Sequence, residues 1–224
     1  MIYKNKYGKI AFWENNHLCK SKNVILRVSG GLDSTLILYL LARENEINNL
    51  NLNIYTLTTL TDKQPYEYMS INVPKIIYRI SQEFSATNII PFIFYRGNEN
   101  KNTFMRDFIN KIKPIYKIDT MIDGWMKGPP EDYQIKNDMI NDPIYLSRKN
   151  PKPVLDFSKD PVLYNPFAEV TKKFTACLYK SLQIEDIIKM TWSCVDNNLS
   201  DRCNPSPCKK CWWCKEKYYG FGIY

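Results

Sequence analysis

Apolar positions along this chain fall into two alternating rhythms. Val24, Ile25, Leu26 and Val28 form a short, nearly continuous apolar run, the pattern of a parallel strand buried on both faces. Leu36, Ile37, Leu38, Leu40, Leu41 and Ala42 follow at helical spacing and cover most of a helix circumference, so a buried helix is predicted there. The rhythm then repeats. Residues 52–57 predict a second strand, and Ile71, Val73, Ile76, Ile77 and Ile80 share one helical face after the turn region around Pro65. Residues 89–95 predict a third strand, and Phe104, Met105, Phe108, Ile109 and Ile112 a helix that Pro114 should end. Residues 118–122 predict a fourth strand, closing at Asp123-Gly124. Alternation of this kind predicts an α/β fold, a parallel sheet with helices on both faces, whose ligands bind outside the carboxyl ends of the strands.

The pattern weakens in two places. Ile2-Tyr3 and residues 10–13 flank a polar Gly8 turn, so an N-terminal hairpin is predicted within residues 1–22, covering a sheet edge. Residues 125–165 are punctuated by prolines from Pro129 to Pro161, and the periodicity fades. A loop of that length inside a compact domain is usually functional or mobile. It follows the fourth strand and is expected to form an acceptor pocket, with Asp123, Glu131 and Asp132 able to hold Mg²⁺ or a substrate amine. Solvated loop charge is the simpler description of those three carboxylates. The single histidine, His17, reads as a surface residue and is left outside the site.

The junction between the first strand and its helix carries the chemistry. Ser29-Gly30-Gly31-Leu32-Asp33-Ser34-Thr35 puts two glycines between strand and helix, with Asp33, Ser34 or Thr35 available as N-cap. First-turn N–H groups have no intrahelical acceptor and lie in the favourable field of the helix N-terminus, so an anion fits above them. No lysine follows the glycines as a P-loop would require, and G-x-G-x-x-G is missing, so neither a P-loop NTPase nor a dinucleotide-binding fold is supported.

Five of the seven cysteines fall between residues 194 and 214: Cys194, Cys203, Cys208, Cys211 and Cys214. Without an export signal, clustering of this kind argues for metal binding rather than disulfides. The C-x-x-C-x-x-C triplet supplies three thiolates, and Cys194 or Cys203 a fourth, enough for a closed, structural Zn²⁺ site. An iron–sulfur cluster is the competing reading, but Lys215-Glu216-Lys217 stands where the ferredoxin run would continue to its fourth cysteine and proline. Cys19 and Cys177 read as isolated thiols. Two domains are expected, an ATP-binding α/β domain over residues 1–190 and a cysteine-rich segment over 191–224.

Composition constrains the rest. The 224-residue chain is 44% hydrophobic, enough for one substantial core, and it has no apolar run of the ~18 residues a membrane helix needs. With no signal-peptide pattern at its start, a cytoplasmic protein is expected, with no membrane partner. The net charge of +8 favours anionic ligands, nucleotides or nucleic acid, although a lysine- and asparagine-rich composition accounts for it equally well.

Ser-Gly-Gly-x-Asp-Ser at residues 29–34 resembles the signature of the PP-loop ATP pyrophosphatases, which cleave ATP between its α and β phosphates. Together with Pro166-Phe167-Ala168-Glu169-Val170-Thr171-Lys172, then Thr191-Trp192-Ser193-Cys194 and the cysteine triplet, the order resembles the 7-cyano-7-deazaguanine synthase family of the queuosine pathway. That resemblance implies ATP, Mg²⁺ and Zn²⁺ as cofactors. It implies that Ser29, Gly30, Gly31, Asp33, Ser34 and Thr35 bind the nucleotide, that Asp33, Ser34 and Lys172 are catalytic, and that Cys194, Cys208, Cys211 and Cys214 hold zinc. The substrate would be 7-carboxy-7-deazaguanine or a related carboxylate, with ammonia as second substrate; the sequence does not fix the oligomeric state, and a homodimer is one form open to it. The chain departs from the family at residues 55–60 and 124–132, where substrate selection should occur, and the family's Arg-Asn pair survives only as Lys101-Asn102. Two alternatives stay open: a tRNA-modifying enzyme of the thiolase type, and a non-catalytic nucleotide- or nucleic-acid-binding module.

Overall fold

A computed structural model describes residues 2–12, 20–60, 66–95, 100–142, 144–145, 148, 153–156, 158–195 and 206–224, with backbone only at 66–68 and 101–102. His17, Cys19, Cys203, Pro65 and the side chains of Lys101 and Asn102 therefore lie outside the described residues. In chain order the elements are β1 (Ile2–Asn5), β2 (Gly8–Ala11), β3 (Asn23–Arg27), α1 (Leu32–Asn48), β4 (Asn53–Leu60), α2 (Tyr66–Glu83), β5 (Asn88–Tyr95), α3 (Lys101–Tyr116), β6 (Thr120–Ile122), α4 (Glu131–Lys136), β7 (Leu155–Asp156), β8 (Val162–Tyr164), α5 (Lys172–Ser181), α6 (Glu185–Ile188) and α7 (Trp212–Phe221).

Period-two alternation divides the strands between two cores. Val24, Leu26 and Ile54 face one side with α1, α2 and α5, while Ile25, Tyr55 and Leu57 face the other with Met105, Ile109 and Ile112 of α3. Helix α1 is sealed from solvent from Ser34 to Ala42, with Leu36, Ile37, Leu38, Leu40 and Leu41 all at 0% exposure because other elements cover the side that the sheet does not, and only its last turn, at Ile47 and Asn48, is exposed. The sheet runs β5-β4-β3-β6-β8-β7 and is parallel except for β7, which pairs antiparallel with β8. Register along β5-β4-β3 places Asn88 beside Asn53 and Asn53 beside Asn23, and their side-chain amides bond in series at 2.8 Å across the amino ends of the strands. Strand order reverses between β3 and β6. The carboxyl ends of those two strands therefore open the crevice in which ligands bind in such sheets.

The structure differs from three expectations. Helix α3 continues through Pro114 to Tyr116; a proline this close to the C-terminus displaces only one late hydrogen bond. The stretch 125–165 is not one loop, because β7 and β8 extend the sheet and Met126 is fully buried in the first core. Strands of two and three residues are shorter than any window that periodicity can resolve. The predicted hairpin is present as β1-β2, but it packs across α1 and β8 instead of along an edge: Tyr3 donates to Glu44 of α1, and the Phe12 ring lies 6.1 Å from that of Tyr164. Among the described residues no helix is long and apolar enough to cross a membrane.

Candidate functional site

The β3–α1 turn is held from three directions. Val28 donates to the carbonyl of Leu57 at 2.9 Å and accepts from the Thr58 hydroxyl at 2.8 Å, which fixes the exit from the strand. Gly30 takes φ +71°, a left-handed conformation that costs glycine little, and its carbonyl accepts from the Trp192 N–H at 2.9 Å. Gly31, in extended conformation, is the N-cap of α1, and no side chain caps the helix. The expected cap from Asp33, Ser34 or Thr35 is thus absent, because those residues already lie inside the first turn. Ser34 Oγ instead accepts from the Ser29 N–H at 3.2 Å and donates to the Gly31 carbonyl at 3.3 Å, folding the loop on itself. The chain leaving β6 passes directly over this turn. A Cβ on Gly124 would lie 3.3 Å from the Ser34 nitrogen.

Lysine 172 reaches this turn from α5. It stands at the first position of that helix and is 4% exposed, and its ammonium donates to Asp33 Oδ2. The resemblance implies a catalytic Lys172, and the fold places it in a buried pair with the Asp33 carboxylate. Glu216 lies behind the pair, fully buried, with Lys172 Nζ at 3.8 Å and Arg148 Nη2 at 3.9 Å. Burial pushes the Glu216 carboxyl up, against the pull of the Arg148 and Lys172 charges. Arg148 is clamped between the rings of Trp125 and Trp213, at 5.4 and 5.2 Å from their centroids, and donates to the Met126 carbonyl. Four charges therefore alternate in sign from the turn inward: Asp33, Lys172, Glu216, Arg148.

Thr35 belongs to the same turn, but its hydroxyl is buried and makes no hydrogen bond among the described residues; the same holds for Asp33 Oδ1. Buried polar atoms are normally paired, so this turn offers more polar capacity than the chain itself satisfies. Such a cradle, with first-turn N–H groups and a lysine beside it, fits a polyphosphate. Of the remaining carboxylates, Asp123 pairs with Arg27 at 3.1 Å beside the crevice, whereas Glu131 and Asp132 are exposed on α4. Of the carboxylates singled out from the sequence, Asp33 therefore lies in the turn and Asp123 beside the crevice, while Glu131 and Asp132 do not join them.

The four predicted thiolates do converge. Sγ atoms of Cys194, Cys208, Cys211 and Cys214 all lie within 4.8 Å of one another. Backbone N–H groups of Lys210 and Cys211 point at Cys208 Sγ at 3.4 and 3.3 Å, and that of Cys208 points at Cys194 Sγ at 3.4 Å. Donors aimed at sulfur favour thiolate. Hydrogen bonding with Cys214 holds the Cys211 thiol down to about 5, against burial, and the same interaction pushes Cys214 up. Four thiolates gathered this closely could hold a metal, either a single zinc ion or an iron–sulfur cluster. Cys177 lies outside the quartet, half-buried.

No family model matches the chain, and no curated protein matches it. Among solved structures it is similar to a U34-tRNA thiolase, NcsA, from Methanococcus maripaludis, determined with its [4Fe-4S] cluster, at 16% identity and a TM-score of 0.49. The alignment covers 77% of this chain and 61% of that protein. The likeness is limited to the fold.

Glu216, Arg148 and Gly220 were not singled out from the sequence. A signal for two of them existed: Trp212, Glu216 and Gly220 stand four apart, on one face of α7. That face meets α5 so closely that a Cβ on Gly220 would lie 2.8 Å from the carbonyl carbon and oxygen of Lys172. Gly220→Ala is accordingly expected to cost about 2 kcal/mol through overpacking against rigid backbone. A thermal melt lowered by less than about 2 °C, against the ~4–8 °C that cost implies for a chain of this size, would contradict the close approach.

Proposed function

We propose that this chain is a PP-loop-type ATP pyrophosphatase that adenylates an acceptor, releasing pyrophosphate and then AMP. The observation that carries this reading is the glycine turn at the strand-order reversal, where the uncapped first turn of α1 meets the Asp33–Lys172 pair. In this scheme the main-chain N–H groups of residues 31–34 and the Ser29 and Ser34 hydroxyls hold the β and γ phosphates. Lys172 exchanges its carboxylate partner for phosphate oxygens as charge develops. Asp33, whose Oδ1 is unpartnered, is the residue that would meet Mg²⁺, which supplies charge neutralisation between phosphates. The four-cysteine site is assigned to Zn²⁺ with no open position and hence no direct chemistry.

The acceptor is proposed to be a carboxylate, 7-carboxy-7-deazaguanine or a relative. Its carboxylate oxygen attacks the α phosphorus and pyrophosphate leaves; ammonia attacks the acyl carbon and AMP departs with that oxygen, giving an amide. A second ATP activates the amide oxygen in the same way, and loss of AMP and a proton gives the nitrile. One observation favours a second acceptor, a tRNA in a thiolation reaction. Lysines lie over surface tyrosines in series, Lys6 and Lys173 on Tyr7, Lys173 on Tyr219 and Lys209 on Tyr224, a pairing of cation and ring suited to nucleic acid strands.

Incubation with α-labelled ATP and Mg²⁺ decides between them. AMP and nitrile are expected with 7-carboxy-7-deazaguanine and ammonia. AMP formed only with tRNA would transfer the acceptor to the second reading, and no AMP with either would remove adenylation altogether.

A further inference from the structure

Helix α7 joins the two halves of the site. It begins at Cys211, its N-cap, and carries Cys214 in its first turn, Glu216 in its middle and Gly220 near its end. The first two belong to the thiolate quartet; the last two bear on Lys172, Glu216 through its carboxylate at 3.8 Å and Gly220 through direct backbone contact. Neither oxygen of Glu216 has a hydrogen-bond partner of standard geometry among the described residues, although the residue is 0% exposed and the Trp212 indole N–H lies near enough to favour its charged form. A carboxylate buried this deeply is costly. A packing role alone would be filled better by leucine or methionine, as its neighbour Trp212, at 1% exposure, already fills one. What a carboxylate adds at this position is its charge, placed between two cations that approach from different parts of the chain.

We infer that Glu216 is a positioning residue: it holds the Lys172 ammonium against Asp33, and through α7 it makes that placement depend on metal binding at the four cysteines. The inference rests on the adenylation reading for its consequence, but not for its geometry. The ammonium lies between two carboxylates, one on the phosphate-binding turn and one on the metal-anchored helix. Loss of the second leaves Lys172 tethered on one side only. Loss of the metal frees the start of α7, and with it both Glu216 and the Gly220 contact. Glu216 never touches the nucleotide, so its removal should affect the rate of the chemical step more than nucleotide affinity.

Reactivity of Lys172 towards acetic anhydride, read by mass spectrometry with exposed Lys22 as internal reference, tests this without any turnover. In metal-loaded protein, Glu216→Gln, which keeps the shape and removes the charge, should raise Lys172 labelling about tenfold, while Glu216→Asp, which keeps the charge, should restore most of the protection. Metal content should stay at the wild-type level in both. Chelation should raise Lys172 labelling in the wild type, and by a smaller factor in Glu216→Gln, because the two perturbations share one route. Unchanged labelling in Glu216→Gln would overturn the positioning role, and unchanged labelling on chelation would overturn the link to the metal. If the wild type releases AMP, Glu216→Gln should lower kcat about tenfold with KM for ATP within about threefold. If it releases none, the adenylation reading fails and the labelling result still decides the role of Glu216.

Discussion

Asp33→Ala is expected to abolish AMP release, by a factor of about a thousand or more, while the fold survives. Two effects combine at this position. The carboxylate orients Lys172 at the glycine turn, and its second oxygen, buried and without a hydrogen bond among the described residues, is the atom proposed to meet Mg²⁺. Removing a preorganised electrostatic group from such a site typically costs about 10²–10³ in rate; here one truncation disturbs both a proposed metal ligand and the lysine it holds. The structural penalty is smaller. Asp33 also sits in the first turn of α1, where an acidic residue contributes about 0.3–1 kcal/mol through the helix field, and Lys172 keeps Glu216 as a neighbour at 3.8 Å, so its charge is not stranded. Circular dichroism should be unchanged, and the thermal midpoint lowered by only a few degrees. AMP release within about tenfold of wild type would remove Asp33 from the chemistry. A midpoint lowered by 15 °C or more would make it a folding residue instead.

The sequence rhythm marked the layers of the fold because burial on both faces leaves a direct trace. Val24, Ile25 and Leu26 have no polar residue between them, as expected of a central parallel strand, and the first two-thirds of α1 is apolar on nearly every side because it is covered on every side. The glycine turn was legible for the same kind of reason, since Gly30 has a positive φ that the chain could otherwise reach only under strain. The cysteine triplet was legible from spacing, whereas Cys194 was chosen over Cys203 as the fourth only by the resemblance. What escaped were features made by contact between distant segments. Glu216 reads as one charge among Lys215 and Lys217, and only folding places it beside Lys172 and Arg148, at sequence separations of 44 and 68 residues. The two short strands β7 and β8 escaped because their pairing, not their composition, makes them strands: Ile122 recruits Tyr164 in parallel, and Tyr164 recruits Leu155 antiparallel.

Cys211→Ser is expected to lose the metal and to loosen the C-terminal segment from the rest of the chain. The substitution separates two roles of one residue. As N-cap of α7, Cys211 makes no side-chain capping bond, whereas serine is among the preferred capping residues and stabilises a helix start by about 0.5–2 kcal/mol relative to a non-capping one. Local helix energetics therefore favour the variant. Zinc, the ion proposed for the quartet, would contribute in the opposite direction and more strongly, with apparent values of about 10–16 kcal/mol in zinc-finger peptides. Three thiolates and a serine hydroxyl hold the ion far less well than four thiolates. Metal content by atomic absorption should fall from about one zinc per chain to near zero at micromolar protein, and hydrogen exchange should lose protection across residues 206–224 first. The thermal midpoint should fall by about 10 °C, as expected when several kcal/mol are lost from a chain of this size. Cys177→Ser, on a half-buried thiol outside the quartet, should leave metal content unchanged and serves as the control. Full zinc content in Cys211→Ser would place the ion on other ligands. Zinc loss without any loss of protection in 206–224 would mean that packing on α5 alone, through Gly220 against Lys172 and the Tyr179–Phe221 ring pair, suffices to hold the segment.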